Sequence, residues 1–255
     1  MVLACGCHDP AMPSNQSGVN TRVLAIPTGV ANAFAIPAAD GLTLVDTGAP
    51  GGRGRLQGAL RRRGFALSDV RRVFVTHAHV DHVGSLAALL DTCDPLVIAH
   101  ALDAPFVRAG TNPPFAEPTA LGVLDRLMAR LSSSAAPPAR VDREVEDDEP
   151  LEKVAPGARA VHLPGHTPGQ VGLWLPDRRF LIAGDAAHNL LPWRLSLPFA
   201  AFTTDMAQAL ASVERAASLA PLGLGLGHGP PLRSGATTKL RQLLHRHGRI
   251  ATASP

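Results

Sequence analysis

Four potential metal ligands fall within six residues in Thr76-His77-Ala78-His79-Val80-Asp81-His82-Val83-Gly84. Imidazole nitrogens and carboxylate oxygens are good donors to zinc and similar divalent ions. On a regular strand or helix these four side chains could not all face one point, but on a loop they can wrap around a cation. The run follows the apolar triplet Val73-Phe74-Val75, so the spacing predicts a buried strand that delivers a polar loop at its end. Three histidines and an aspartate there would make an odd solvated surface, and metal binding is the better reading.

Three more polar residues sit in matching contexts. His166 lies in Leu163-Pro164-Gly165-His166-Thr167-Pro168-Gly169, Asp185 follows Phe180–Ala183 and Gly184, and His228 stands between Gly227 and Gly229 after Leu222–Leu226. A lone histidine is more often structural than a ligand. A repeated pattern, in which strand ends each deliver a His or Asp beside glycine, is harder to dismiss. Glycine permits sharp turns and close approach of the backbone to a ligand.

The elements that must hold these residues can be read around them. The apolar runs Val23–Ile26, Ala33–Ile36 and Leu42–Val45 are separated by Pro, Gly, Asn and Asp and predict strands. A helix is expected from Gly51 to about Arg63, another over Ser85–Leu90, and a strand over Leu96–Ala99. Residues 101–150 lack strand rhythm. They hold a helical pattern near Leu121–Leu131 and an acidic run of Glu144, Glu146, Asp147, Asp148 and Glu149, and they read as an insertion, either a lid or a passive solvated excursion. Strands are expected again over Ala158–Leu163, Val171–Leu175, Phe180–Ala183 and Leu222–Leu226. Helices are expected over Thr204–Leu219, with Asp205 in its first turn, and over Gly235–His247. Strand blocks and helices alternate in two halves without a clear linker. This predicts a loose segment over 1–20 and a single α/β domain over 21–255, with the insertion at about 101–150.

Bulk properties narrow the class. With 255 residues, 45% hydrophobic and 18% charged, the chain is long enough for a substantial core. Basic clusters at Arg61-Arg62-Arg63, Arg71-Arg72 and Lys239–Arg249 read as solvated helix faces. With aromatics at 4%, none interleaved to stack bases, nucleic acid is a poor partner. Nowhere do 18 apolar residues run together, so no membrane span is expected. Cys5, Cys7 and Cys93 are odd in number, which excludes a full disulfide framework. With no basic, apolar leader pattern, a cytoplasmic protein acting on a small molecule is the expectation.

The run His77-x-His79-x-Asp81-His82, followed by His166, Asp185 and His228, resembles the signature of the metallo-β-lactamase superfamily. The likeness extends from Leu44-Val45-Asp46-Thr47-Gly48 to Gly227-His228-Gly229. It implies a four-layer αββα sandwich with metals at one edge. It assigns His77, His79 and His166 to one metal and Asp81, His82 and His228 to a second, with Asp185 bridging. It also implies that Asp46 supports the metal loop from behind, with Thr76, Gly165 and Thr167 as further supports. Five neutral imidazoles and two carboxylates against two divalent ions leave a net charge of about +2, which favours a bridging hydroxide and an anionic intermediate.

Within that family the pattern is similar to the glyoxalase II-like group. The implied activity is metal-dependent hydrolysis of an ester, thioester, lactone or similar bond. The implied cofactor is two divalent ions, zinc foremost, with iron or manganese as alternatives. Asp81 is the expected catalytic residue, orienting the nucleophile and carrying a proton to the leaving group. Substrate contacts are expected from residues 101–150 and from His188–Phe202, with His188, Trp193 and Phe199 lining the pocket. Alternative activities are a mononuclear iron sulfur dioxygenase, as in persulfide dioxygenases, and a β-lactamase. Flavodiiron relatives carry Glu where His79 stands, many β-lactamases carry Cys or Ser in place of Asp185, and lactonases use a tyrosine near the metals, a residue type this chain lacks.

Overall fold

The computed structural model describes residues 22–115, 135–191 and 194–248. Cys5, Cys7, Trp193 and the helical pattern near Leu121–Leu131 lie outside the described residues. Strand β1 (Leu24–Pro27), β2 (Asn32–Ala38), β3 (Gly41–Val45), β4 (Val70–Phe74), β5 (Leu96–His100) and β6 (Arg143–Val145) form one sheet in that order. Strands β7 (Arg159–His162), β8 (Val171–Leu175), β9 (Phe180–Ile182) and β12 (Gly223–Gly225) form a second, ordered β12-β9-β8-β7. A hairpin of β10 (His188–Leu191) and β11 (Arg194–Ser196) stands apart.

The four layers follow from the period-two alternation of strand side chains. Leu42 and Leu44 of β3, Val73 of β4 and Val75 just past its end pack outward with Leu56 and Leu60 of helix α1 (Arg53–Arg61). Their neighbours Val45 and Phe74 turn inward and meet Val171, Leu173 and Leu175 of β8. On the far side, Val161 and Leu181 pack against Val213 and Ala216 of a late helix (Met206–Ser218) and Leu240 and Leu243 of the last one (Ala236–Arg246). Strands buried on both faces therefore read as continuous apolar runs. Each fully buried Leu, Ile or Phe contributes about 1.5–3 kcal/mol by leaving water.

Strand direction decides where the site lies. β3, β4, β5 and β6 pair in parallel, so their C-terminal ends meet at one edge. β9 pairs parallel with β12 and antiparallel with β8, which is antiparallel to β7. Thus β7, β9 and β12 also share one direction. Most expected elements are present with ends shifted by a few residues. Three features differ from expectation. Asp81 and His82 lie in a helical turn, α2 (Val80–Val83), just ahead of helix α3 (Leu86–Leu90), and not on a loop. Residues 101–150, read as lacking strands, contain a helix, α4 (Ala104–Ala109), and the edge strand β6. The β10–β11 hairpin was not expected at all. Three-residue strands such as β6 and β11 are too short to show a period.

Candidate metal centre

β4 ends at Phe74, and the chain then passes through Val75, Thr76 and His77 to His79, which is in extended backbone, before α2 begins. His79 precedes the turn with φ −69° and ψ 148°. This switch from extended to helical backbone lets two histidines from the first half and an Asp-His pair from the second face one place. His166, Asp185 and His228 arrive on loops after β7, β9 and β12. Gly227, just ahead of His228, is required by close approach: a Cβ there would lie 2.0 Å from Asp185 Oδ1.

The seven residues converge. Ligand atoms of His77, His79 and His166 lie within 4.8 Å of one another, as do those of His77, His82 and Asp185, and those of Asp81, His82 and His228. Asp185 Oδ2 stands 3.6 Å from His166 Nε2 and 3.2 Å from His228 Nε2, and its Oδ1 is 3.5 Å from His82 Nε2. Asp81 Oδ2 stands 3.2 Å from His228 Nε2. His79 Nδ1 and His166 Nε2 are 2.9 Å apart.

Support from behind is equally specific. Asp46, at φ 60°, accepts from the Thr76 amide at 2.8 Å and the Thr76 hydroxyl at 2.7 Å. Its Oδ2 is 2.8 Å from His82 Nδ1, which turns His82 Nε2 toward the centre. Thr76 Oγ1 is 3.1 Å from His77 Nδ1. Thr167 Oγ1 donates to Asp103 at 2.8 Å. Asp103 was missed in the sequence. It also accepts from the Ala78 amide at 2.9 Å and the Gly169 amide at 2.7 Å, so one buried carboxylate ties the His77–His79 stretch to the His166 loop. It lies just beyond the end of β5, but between Leu102 and Ala104 it lacks the flanking glycine that marked His166, Asp185 and His228.

Charge within the cluster is concentrated. Burial drives His77 and His166 well below the ordinary histidine range, and His79 down to about 4, with neighbouring imidazoles adding to the fall. Burial also pulls on His82 and His228, but the carboxylates of Asp185 and Asp81 more than reverse it, raising them to about 9 and about 11. Burial opposes ionisation of Asp185 and Asp81, yet the adjacent imidazoles hold both below the usual carboxylate range. A pocket of buried anions that demands positive charge suits divalent cations.

A second observation fits a metal. His77 Nε2, His79 Nε2, His82 Nε2 and Asp185 Oδ1 are buried without a hydrogen-bond partner. Stranded donors and acceptors of this kind cost free energy unless something else satisfies them.

The centre opens into a cleft of about 500 Å³, lined beyond the ligands by Val30, Ala49, Val80, Phe115, Phe199 and Phe202, with Asn112 and His188 as polar members. Of the three expected pocket residues, His188 and Phe199 line the cleft, and Trp193 is outside the described residues. Phe115 and Phe202 fall within the two segments expected to contact substrate, but nothing local to them marks them individually. His100 and His162 stack with ring centroids 4.0 Å apart, away from the cleft. Basic Arg72 is buried and pairs with Asp40, so that cluster is partly structural.

The family profile described as "Metallo-beta-lactamase superfamily" matches residues 26–228. The chain is similar to the probable metallo-hydrolase YflN of Bacillus subtilis (strain 168), with 28% identity over 207 residues, covering 74% of this chain and 75% of the relative. In structure it is similar to the metallo-beta-lactamase family protein TTHA1429 of Thermus thermophilus, with a TM-score of 0.66 and 24% identity, covering 89% of this chain and 79% of that one. It is also similar to TTHA1623, whose structure is of a di-iron-bound form, with a TM-score of 0.59 and 27% identity, covering 82% of this chain and 93% of that one.

Proposed function

We infer that this chain, which belongs to the metallo-beta-lactamase superfamily, is a dinuclear metallo-hydrolase that cleaves an uncharged ester, thioester or lactone bearing an apolar acyl group. The observation that carries this is the convergence of seven His and Asp side chains, several with unpartnered buried atoms, at the floor of an apolar cleft.

His77, His79 and His166 would hold one cation and Asp81, His82 and His228 the other, with Asp185 between them. Zinc suits this nitrogen and oxygen donor set. The di-iron form of TTHA1623 makes iron the second candidate. When bound, such ions supply Lewis acidity and bring the pKa of water down to about 7.

The chain's own residues do the rest. Asp46 and Thr76 fix the rings of His82 and His77, and Asp103 fixes the loops that carry His79 and His166. Orientation by such outer partners sets ligand basicity and geometry. The Asp81 carboxylate, with 23% of its side chain exposed, faces the cleft. It orients the attacking water and carries its proton to the leaving group. Phe115, Phe199, Phe202, Val30 and Val80 take up the acyl chain and exclude water. Among the described residues of the cleft there is no lysine or arginine to pair with a carboxylate or phosphate on the substrate.

The test is a panel of lactones, esters, thioesters, a β-lactam and a phosphodiester, assayed with zinc, manganese and iron. Uncharged acyl substrates should be turned over best, with kcat/KM rising several-fold per added methylene until the cleft is filled. Asp81→Ala should fold normally and lose hydrolysis by orders of magnitude. Wild-type turnover in that variant with its metal in place rejects the role of Asp81, and preference for the phosphodiester rejects the substrate class.

A further inference from the structure

We propose that His188 is an additional metal ligand, an imidazole donor to the second cation beside His228 and Asp185. This rests on the dinuclear reading above and extends the donor set beyond the seven residues of the sequence pattern. His188 is 3% exposed, and its Nε2 stands 3.2 Å from Asp185 Oδ2, the oxygen that His228 Nε2 also approaches to 3.2 Å. Donor atoms of Asp185, His188 and His228 lie within 4.8 Å of one another, the same spacing that joins the other ligand groups.

The ring is held for this purpose by its surroundings. Ala186 and Ala187, both buried, turn the chain back so that β10 begins with His188 over Asp185. The next residue is pinned to the His228 loop: the Asn189 amide donates to His228 O at 3.0 Å, and Asn189 Nδ2 donates to Pro230 O at 2.6 Å. Gly229, at φ +86°, allows this, because a Cβ there would lie 2.1 Å from Asn189 O. His188 and His228 are thereby kept with ring centroids 4.9 Å apart, while Phe199 packs against the other side of His188 at 5.4 Å.

The second nitrogen of His188 decides between roles. Nδ1 is buried without a hydrogen-bond partner. A ring present only to fill space would be apolar, and one present only to brace Asp185 leaves a buried polar atom stranded for a single hydrogen bond. Coordination at Nε2 is the stronger interaction that offsets that loss.

Cobalt(II) loading tests this without measuring activity. Each histidine bound to the paramagnetic ion gives a strongly shifted, exchangeable ring N–H resonance in the proton NMR spectrum. The expected wild-type spectrum has such signals from His77, His79, His82, His166, His188 and His228, and His188→Gln should lose one of them. His188→Phe, which keeps the packing against Phe199, should lose the same signal. Cobalt bound with signals from the other five histidines only, unchanged in His188→Gln, overturns the proposal and leaves the dinuclear reading standing. Failure to bind cobalt at all overturns both. The wild-type count decides the matter if either variant misfolds.

Discussion

At the scale of single residues, the centre depends on carboxylates that point away from the substrate. Asp46 satisfies Thr76 twice and orients His82, while Asp103 collects three donors from two loops. Burial raises the pKa of Asp103, and the hydrogen bonds from Thr167, Ala78 and Gly169 work against that rise. A hydrogen bond to a charged group contributes about 1.5–3 kcal/mol, and leaving its buried donors unpaired costs more. Asp103→Ala should therefore lower unfolding free energy by at least about 3 kcal/mol by urea titration. It should also weaken retention, against a chelator, of the cation proposed at His77, His79 and His166, although Asp103 touches none of those side chains. A variant of wild-type stability that keeps its metal would show the two loops to be held by something else.

At the scale of elements, the site exists because codirectional strands end at one edge of each sheet. β3 delivers Asp46, β4 delivers Thr76 and His77, and β9 and β12 deliver Asp185 and His228. The loops approach more closely than most side chains allow. Gly227→Ala would press a methyl group against Asp185 Oδ1 at 2.0 Å and His82 Cε1 at 2.5 Å, while the backbone there has no positive φ to strain. The expected outcome is a folded protein, with a near-wild-type far-ultraviolet circular dichroism spectrum, that binds at most one cation by metal analysis. Two tightly bound cations in that variant would refute the packing of Gly227 on the cluster. A further element-scale check is Asp205, whose side chain caps the Met206–Ser218 helix by accepting from the Ala207 and Gln208 amides. Asp205→Ala should cost about 1 kcal/mol of stability.

At the scale of the whole molecule, two sheets close over one core and helices cover both outer faces. At the edge of the sandwich His100 and His162 stack, and Glu146 Oε2 lies 3.7 Å from His100 Nε2. Burial, with the His162 ring adding to it, lowers His100 from 6.5 to about 4. The folded chain thus refuses a proton that the unfolded chain accepts. The contribution of His100 is nil above its ordinary value, turns destabilising as pH falls through about 6.5, and levels off below about 4. The urea midpoint should therefore fall between about pH 7 and about pH 5, and less steeply in His100→Gln. Equal slopes for the two proteins would remove His100 from the acid sensitivity of the fold. Among the described residues no helix is long and apolar enough to cross a membrane.

What the sequence determined by itself was the set of candidate donors and the period of the strands. Ligand chemistry is a property of residue type, and the strand-end glycines and apolar runs are local, so His77, His79, Asp81, His82, His166, Asp185 and His228 were legible without coordinates. The sandwich followed from their resemblance to a family, and the α/β class from strand blocks alternating with helices. Only the tertiary structure revealed Asp103, singled out Phe115 and Phe202 within their segments, and showed the helical turn under Asp81 and His82 and the position of His188 over Asp185. Each of those depends on contacts between residues far apart in the chain, or on a backbone turn whose direction is set by packing. The spacing of residues along a chain carries neither.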